Sequence, residues 1–169
     1  MTEKENNVNN ADIISDLNEM PLDIMGLFFF AYRDFVSDAD DLLHNKNFGR
    51  AHHRVLYFVN IRPGMSVATL LSILKITKQS LARVLRQLID NGYIERKSGK
   101  NDRRQRLLFA SERGKEYFTI LSQTQASRIN EAIENLPENS RGIIVRFFAQ
   151  MIDKNDHAML EQLHLLGKD

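Results

Sequence analysis

The chain has 169 residues, of which 43% are hydrophobic and 27% are charged, and its formal net charge is only +1. A chain of this length and composition can bury one sizeable core, so we expect a single folded unit. The sequence contains no cysteine, which excludes a disulfide framework, a cysteine nucleophile, a thiol redox sensor and every thiolate zinc site.

The N-terminal region is predicted to be a flexible arm over residues 1–19. It is polar and acidic, and it lacks the basic stretch followed by an apolar stretch that marks a secretory signal. The most apolar run, GLFFFAY at 26–32, has seven residues, far fewer than a membrane span needs. We therefore expect a cytoplasmic protein that does not enter a membrane.

Three helices are predicted next along the chain. Apolar side chains recur at spacings of three and four over residues 22–43. A second apolar stripe means that more than half of the circumference of this helix must be covered by other parts of a protein. The polar break NKNFGR separates it from the helical stretch RAHHRVLYFVNI, which RPG at 62–64 ends. Ser66 is a candidate N-cap for a short apolar helix at 67–74.

The clearest helix in the sequence follows Thr77, a candidate N-cap, and ends at Asn91 and Gly92. Its buried face is predicted to consist of Leu81, Val84, Leu85 and Leu88. Its opposite face carries Gln79, Arg83, Arg86 and Asp90, with Lys78 and Ser80 in the first turn. Two short helices joined by a tight break at 75–76 fit a helix-turn-helix, although most amphipathic helix pairs are purely structural.

A two-stranded hairpin is predicted directly after this helix. GYIERK at 92–97 is typical of a strand, SGKND at 98–102 of a turn and RRQRLLFA at 103–110 of a returning strand. Residues 75–106 carry ten Lys or Arg against three acids, a local charge of +7, whereas the remaining residues carry thirteen against nineteen, or −6. A basic strip on an acidic body favours an oriented contact with a polyanion.

The stretch ITKQSLARVLRQLIDNGYIERKSGKNDRRQRLLFASERGKEYF, residues 76–118, resembles the winged-helix core of the MarR family of bacterial transcriptional regulators. The matching features are a Gly-aromatic pair, an Asp-x-Arg motif and a Ser-x-x-Gly step, at Gly92 and Tyr93, Asp102 and Arg104, and Ser111 and Gly114. GRAHHRVLYFV at 49–59, together with ITKQSLARVLRQLI, is also similar to an alphaproteobacterial branch that includes PetP-like and LdtR-like regulators. One departure is Ala110, where the family usually has leucine; it affects packing more than DNA contact.

The resemblance implies a mainly α fold with a small β-hairpin wing. A winged helix-turn-helix core at 49–112 would be flanked by an N-terminal dimerisation helix at 20–48 and by C-terminal helices at 113–169 that complete the dimer interface. Such proteins are sequence-specific regulators, most often repressors, that bind double-stranded DNA as homodimers on pseudo-palindromic sites. No catalytic residue, cofactor or metal ion is expected.

The predicted recognition helix presents Lys78, Gln79, Ser80 and Arg83 near its N-terminus, where side chains can reach the major groove. Arg83 matches the important helix arginine of the family. Arg86 lies one turn further on and is expected to contact phosphate.

The predicted wing contributes three more contacts and one orienting residue. The resemblance places Arg104 in the minor groove, where narrow A·T tracts concentrate negative potential. Asp102 would orient a wing arginine rather than touch DNA, because a carboxylate is repelled by phosphate. Lys100 and Arg103 are expected to contact phosphates without regard to sequence.

Other function classes fit the sequence less well. An RNA-binding module usually offers several aromatic platforms, yet Tyr93 is the only aromatic residue within 75–106. An enzyme needs a catalytic constellation, and the sequence has no GxSxG, phosphate-binding loop or HExxH. His52 and His53 point about 100° apart on a helix, so packing or hydrogen bonding is a better interpretation than a shared metal ion.

A cluster near the C-terminus is the nearest approach to a metal site. It is expected on one helix face at spacings of four, four and three, and consists of Asp153, His157, Glu161 and His164. Such pairs are ordinary partners on a helix surface, which is the favoured interpretation.

An apolar stripe near the C-terminus, together with the apolar helix at 22–43, fits a homodimer interface built from both ends of the chain. The stripe consists of Ile144, Phe147, Phe148, Met151 and Ile152. The alternative is that both elements only cover the core of the monomer.

Members of the resembled family often bind small phenolic or lipophilic effectors between the dimer region and the winged helix. The candidate pocket residues are Phe29, Tyr32, His53 and Tyr57, for which core packing is the alternative.

Overall fold

The computed structural model of the chain describes residues 19–99 and 105–166. The chain divides into two compact units, Met1–Ser37 and Asp38–Asp169. Within the described ranges, no helix is long and apolar enough to cross a membrane.

The first unit contains helix α1, Leu22–Ser37, which buries none of its side chains in the single chain. Leu27, Phe29 and Phe30 are 68%, 67% and 59% exposed. The prediction of one helix over residues 22–43 is wrong, because α1 ends at Ser37, whose hydroxyl donates to the Asp34 carbonyl. Serine and aspartate side chains compete for backbone hydrogen bonds, so the SDADD stretch ends one helix and begins another.

The second unit holds the remaining elements that the structure describes. In chain order they are α2 (Asp40–His44), α3 (Arg50–Ile61), β1 (Met65–Ser66), α4 (Val67–Leu74), α5 (Lys78–Asp90), β2 (Ile94–Ser98), β3 (Arg106–Ala110), α6 (Glu112–Glu134), α7 (Ser140–Met151), a 3-10 turn (Lys154–Asp156) and α8 (His157–Gln162). The fold is mainly helical with a small antiparallel sheet, as the resemblance implies.

The sheet has three strands in the order β1-β3-β2, one more than the hairpin that the sequence predicts. Gly64 adopts a left-handed φ of 83° that glycine tolerates, and its N–H donates to the Leu108 carbonyl at 2.8 Å. This turn lays Met65 against Leu108 and Ser66 against Leu107. The extra strand therefore ties the wing to the helix-turn-helix.

The core of the second unit lies between the helix-turn-helix, the sheet and the first half of α6. Its fully buried side chains come from seven elements and include Leu43, Leu56, Leu70, Leu85, Leu88, Ile94, Leu108 and Leu121. This packing fixes α5 and the strands of the wing on one rigid body.

Helix α6 is anchored in the core by only part of its length. Its buried residues, Gly114, Tyr117, Leu121 and Gln125, all lie in the first half of the helix. Beyond Gln125 the residues to Glu134 are exposed or half-buried. Helix α7 buries no side chain.

The C-terminal segment is not one continuous helix. The backbone is extended at Ile152, Asp153 caps the 3-10 turn, and His164 lies in the left-handed region with φ 54°. The prediction that Asp153, His157, Glu161 and His164 share a helix face is therefore wrong. Among the residues with described positions, no group of three or more His, Asp or Glu could hold a metal ion.

Candidate nucleic-acid interface

The recognition helix α5 forms as its sequence predicts. Leu81, Val84, Leu85 and Leu88 are at most 3% exposed, so one face of the helix packs into the core. Thr77 caps the helix, since its hydroxyl oxygen accepts from the Ser80 N–H at 3.1 Å.

The preceding helix, α4, also begins and ends where predicted. Its N-cap is Ser66, which accepts from the Thr69 N–H at 3.0 Å. Its C-cap is Lys75, whose φ of 50° reverses the chain and makes the tight turn before α5. The pair is thus a helix-turn-helix.

The outer face of α5 presents the predicted contact residues to solvent. Lys78, Gln79, Arg83 and Arg86 are exposed, and Ser80 is half-buried. No carboxylate in the described ranges forms an ion pair with these three cations. Ser80 already takes part in the helix cap, because its hydroxyl accepts from the Thr77 hydroxyl at 2.9 Å.

The wing is a regular antiparallel ladder from Ile94 opposite Ala110 to Ser98 opposite Arg106. At its outer end the Gly99 N–H donates to the Gln105 carbonyl at 3.0 Å, and Arg106 donates to the Ser98 hydroxyl at 2.9 Å. The predicted wing contacts Lys100, Asp102, Arg103 and Arg104 lie outside the described residues.

The base of the wing is locked to α6 by the motif residues. The Ser111 hydroxyl accepts from the Gly114 N–H at 3.0 Å and donates to the Gly92 carbonyl at 2.6 Å. A Cβ atom on Gly114 would lie 2.0 Å from the carbonyl oxygen of Tyr93. The Gly-aromatic pair and the Ser-x-x-Gly step therefore form one contact that joins the wing to α6.

Arg113 belongs to the same contact, although the sequence reasoning missed it. Its guanidinium lies 4.5 Å from the ring centroid of Tyr93 and donates to the Asn91 carbonyl at 2.9 Å. Arg113 directly follows the first residue of α6. The spacing of residues in the sequence therefore does not indicate that it contacts Tyr93.

The buried His52 connects α3 to the recognition helix. Its Nδ1 accepts from the Gly49 N–H at 3.0 Å, so its Nε2 carries the proton and donates to Gln87 Oε1 at 2.8 Å. The imidazole also stacks on Phe48 at 4.7 Å between ring centroids. These contacts confirm a packing and hydrogen-bonding role for His52.

The four candidate effector residues belong to different units. Phe29 and Tyr32 are 67% and 51% exposed on α1. On α3, His53 is buried, and Tyr57 is half-buried with its ring edge-on to Phe118. Two grooves of the second unit, of about 530 and 400 Å³, are lined by neither His53 nor Tyr57.

His53 makes stability depend on pH. Burial lowers the pKa of its imidazole below the usual 6.5, although the charge of Asp40 opposes this shift. The unfolded chain therefore binds a proton near pH 6.5 that the folded chain still excludes, so stability is lost as pH falls below this value. We expect His53→Gln to flatten the dependence of the unfolding free energy on pH between 6.5 and 5, by at most about 1.4 kcal/mol per pH unit. Urea unfolding at several pH values measures this, and parallel curves for both proteins would contradict it.

A capped recognition helix, a tight turn before it and a sheet of three strands define a winged helix-turn-helix. A model of the MarR family matches residues 46–105. The HTH-type transcriptional regulator PetP of Rhodobacter capsulatus is 48% identical over 104 residues, which are 62% of this chain and 63% of that protein. Residues 46–105, the winged-helix core of this chain, are thus similar to the MarR family, and the chain spans less than two thirds of this relative.

Solved structures agree on the fold. A crystal structure of MarR has a TM-score of 0.58 at 23% identity and covers 78% of this chain and 95% of its own. Streptococcus pneumoniae FabT, solved in complex with DNA, has a TM-score of 0.65 at 16% identity. The match covers 84% of this chain and 98% of the FabT chain. The resemblance to PetP-like regulators is confirmed by the match to PetP.

Proposed function

We propose that this protein is a transcriptional regulator that binds duplex DNA through α5 and the wing. The observation that carries the proposal is the outer face of α5, where Lys78, Gln79, Arg83 and Arg86 are exposed while the opposite face is buried. Side chains at the start of such a helix can enter the major groove. FabT, which shares the fold, has been solved with DNA.

The contacts of α5 are assigned by reach. Arg83 has the length and the planar donors to read a guanine edge, and Lys78 and Gln79 stand one turn earlier. Arg86, one turn later, contacts phosphate. In the wing, Arg104 is assigned to the minor groove by the resemblance.

We further propose that the protein acts as a homodimer and represses by occupying its site. The exposed apolar residues of α1 and of α7 support this, because monomers rarely leave such faces in water. A two-fold dimer presents two recognition helices to half-sites one helical turn apart. Release by a small aromatic or lipophilic effector stays a prediction of the resemblance.

The DNA contacts are tested by binding at several salt concentrations. The probes are a duplex selected by the wild-type protein from a random pool and an unselected duplex. Arg83→Ala and Arg104→Ala are each expected to weaken binding to the selected duplex by about tenfold, since one good base contact contributes about 1–3 kcal/mol. Lys100→Ala is expected to weaken binding to both duplexes alike and to flatten the salt dependence.

Arg54→Ala is the matched control, because Arg54 is an exposed arginine on α3. Its replacement removes one positive charge, as Arg83→Ala and Arg104→Ala do, but removes no side chain that is assigned to a base contact. If both Arg83→Ala and Arg104→Ala bind the selected duplex with unchanged affinity, the assignment of these two arginines as base contacts is refuted. A wild-type protein that enriches no duplex from the random pool and does not bind the unselected duplex at low salt would refute the function itself.

A further inference from the structure

We propose that Lys75 is a further contact to the DNA backbone, and that Asp156 competes with the phosphate for its amine. The inference rests on the proposed DNA-binding function. It assigns to the C-terminal segment, residues 152–165, the role of weakening DNA binding.

Lys75 occupies the turn of the helix-turn-helix. It is the left-handed C-cap of α4 and lies two residues before Thr77, the N-cap of the recognition helix. Its side chain is 63% exposed, and its Nζ lies 2.6 Å from Asp156 Oδ2. The hydrogen bond to Asp156 raises the pKa of the Lys75 amine, which is already charged at neutral pH.

The position and the charge of Lys75 both suit phosphate contact. Residues around the N-terminal end of a recognition helix meet the DNA backbone when the helix enters the groove. Lys75 also opens the basic strip at 75–106, whose net charge is +7. A flexible lysine contacts phosphate as a point charge and needs no fixed geometry.

The ion pair between Lys75 and Asp156 is too weak to prevent Lys75 from contacting a phosphate. Both side chains are exposed, at 63% and 36%, and exposed ion pairs stabilise little because water and salt screen them. A phosphate that binds the same amine also releases condensed counterions. A DNA phosphate can therefore replace Asp156 as the partner of the Lys75 amine. The cost of breaking the ion pair lowers the affinity for DNA only moderately.

The carboxylate stays beside the turn after the exchange because other contacts anchor its segment. Arg62 Nη1 donates to the backbone carbonyl of Gln162 at 2.9 Å and to its side-chain oxygen at 3.3 Å. Leu163 is 6% exposed and Met159 packs against the core. The segment thus remains docked independently of the ion pair, and its negative charge opposes nearby phosphates.

The experiment measures binding to an unselected duplex of about 30 base pairs, because phosphate contacts do not depend on sequence. Fluorescence anisotropy gives the affinity of wild type, Asp156→Asn, Lys75→Ala and the double variant between about 50 and 200 mM salt. Asp156→Asn is expected to raise affinity about threefold at the lowest salt and to leave the thermal unfolding temperature nearly unchanged. Lys75→Ala should lower affinity and reduce the log–log salt slope by about 0.9.

Glu161→Gln is the matched control, since it removes an equal charge from an exposed residue of the same segment. The decisive comparison is the double variant, in which Asp156→Asn should raise affinity no more than Glu161→Gln does, because only the general repulsion between the carboxylate and phosphate remains once Lys75 is absent. Equal gains from Asp156→Asn and Glu161→Gln, an unaltered slope for Lys75→Ala, or additive effects in the double variant would each overturn the inference. If wild type fails to bind the duplex at the lowest salt, the proposed function fails instead.

Discussion

Replacing Gly114 with alanine is expected to destabilise the protein by about 3 kcal/mol or more, the upper range for forcing atoms into a packed site. The added Cβ would lie 2.0 Å from the Tyr93 carbonyl oxygen and 3.0 Å from its carbonyl carbon. Both are backbone atoms, so no rotamer change can relieve the clash. Either α6 or the start of the wing must move, and the hydrogen bonds of Ser111 would then weaken.

Gly142→Ala is the matched control for this substitution. A Cβ atom at Gly142 meets nothing within 4 Å, and alanine favours a helix over glycine by about 0.5–1 kcal/mol. We measure the free energy of unfolding in urea by circular dichroism at one protein concentration. It should be lower than that of the wild type for Gly114→Ala and slightly higher for Gly142→Ala. Equal stabilities for Gly114→Ala and wild type would show that the two backbones do not approach as described.

Placing a charge on the apolar face of α1 or α7 is expected to convert the proposed dimer into monomers. Leu27 and Ile143 are 68% and 60% exposed in the single chain, and each occurs twice in a two-fold dimer. Exchanging either for glutamate removes about 3–6 kcal/mol of apolar burial from the pair of sites. This corresponds to a loss in dimer affinity of about a hundredfold or more.

Sedimentation velocity at micromolar concentration measures the outcome for Leu27→Glu and Ile143→Glu. Gln105→Glu introduces the same charge at a polar, exposed position that belongs to neither apolar face and should leave the dimer intact. A wild-type protein that sediments as a monomer at this concentration would end the dimer proposal.

Local signals in the sequence were enough to predict the helix-turn-helix. The spacing of Leu81, Val84, Leu85 and Leu88 marks one buried face of α5. Thr77 and Ser66 mark the helix starts, because a hydroxyl three residues before an amide can accept its hydrogen bond. Such features depend on neighbours within a few residues, which a single sequence displays directly.

Features that depend on distant partners were missed. The two-residue strand β1 is too short to show an alternating pattern, and only its pairing with β3 makes it a strand. His52 and Gln87 are 35 residues apart, and Lys75 and Asp156 are 81 apart. Neither pair leaves a period in the sequence, so only the fold reveals that they meet.

The break at 38–39 was missed for another reason. Apolar spacing continued across it, from Val36 through Ala39 to Leu43, which favoured a single helix. In the structure Ala39 and Leu43 are buried in the second unit. The two sides of the break therefore meet different surroundings, which a periodic pattern does not register.

The length of α6 has a mechanical consequence. Its 23 residues form a rod of about 35 Å at the usual rise per residue. The end near Gly114 is fixed to the wing, whereas the half beyond Gln125 lies outside the core. A tilt of about 10° applied along this lever displaces one end by about 6 Å relative to the other. This is close to two base-pair steps of about 3.4 Å, so under the proposed DNA-binding function a small rotation at the far end would shift α5 out of register with its groove.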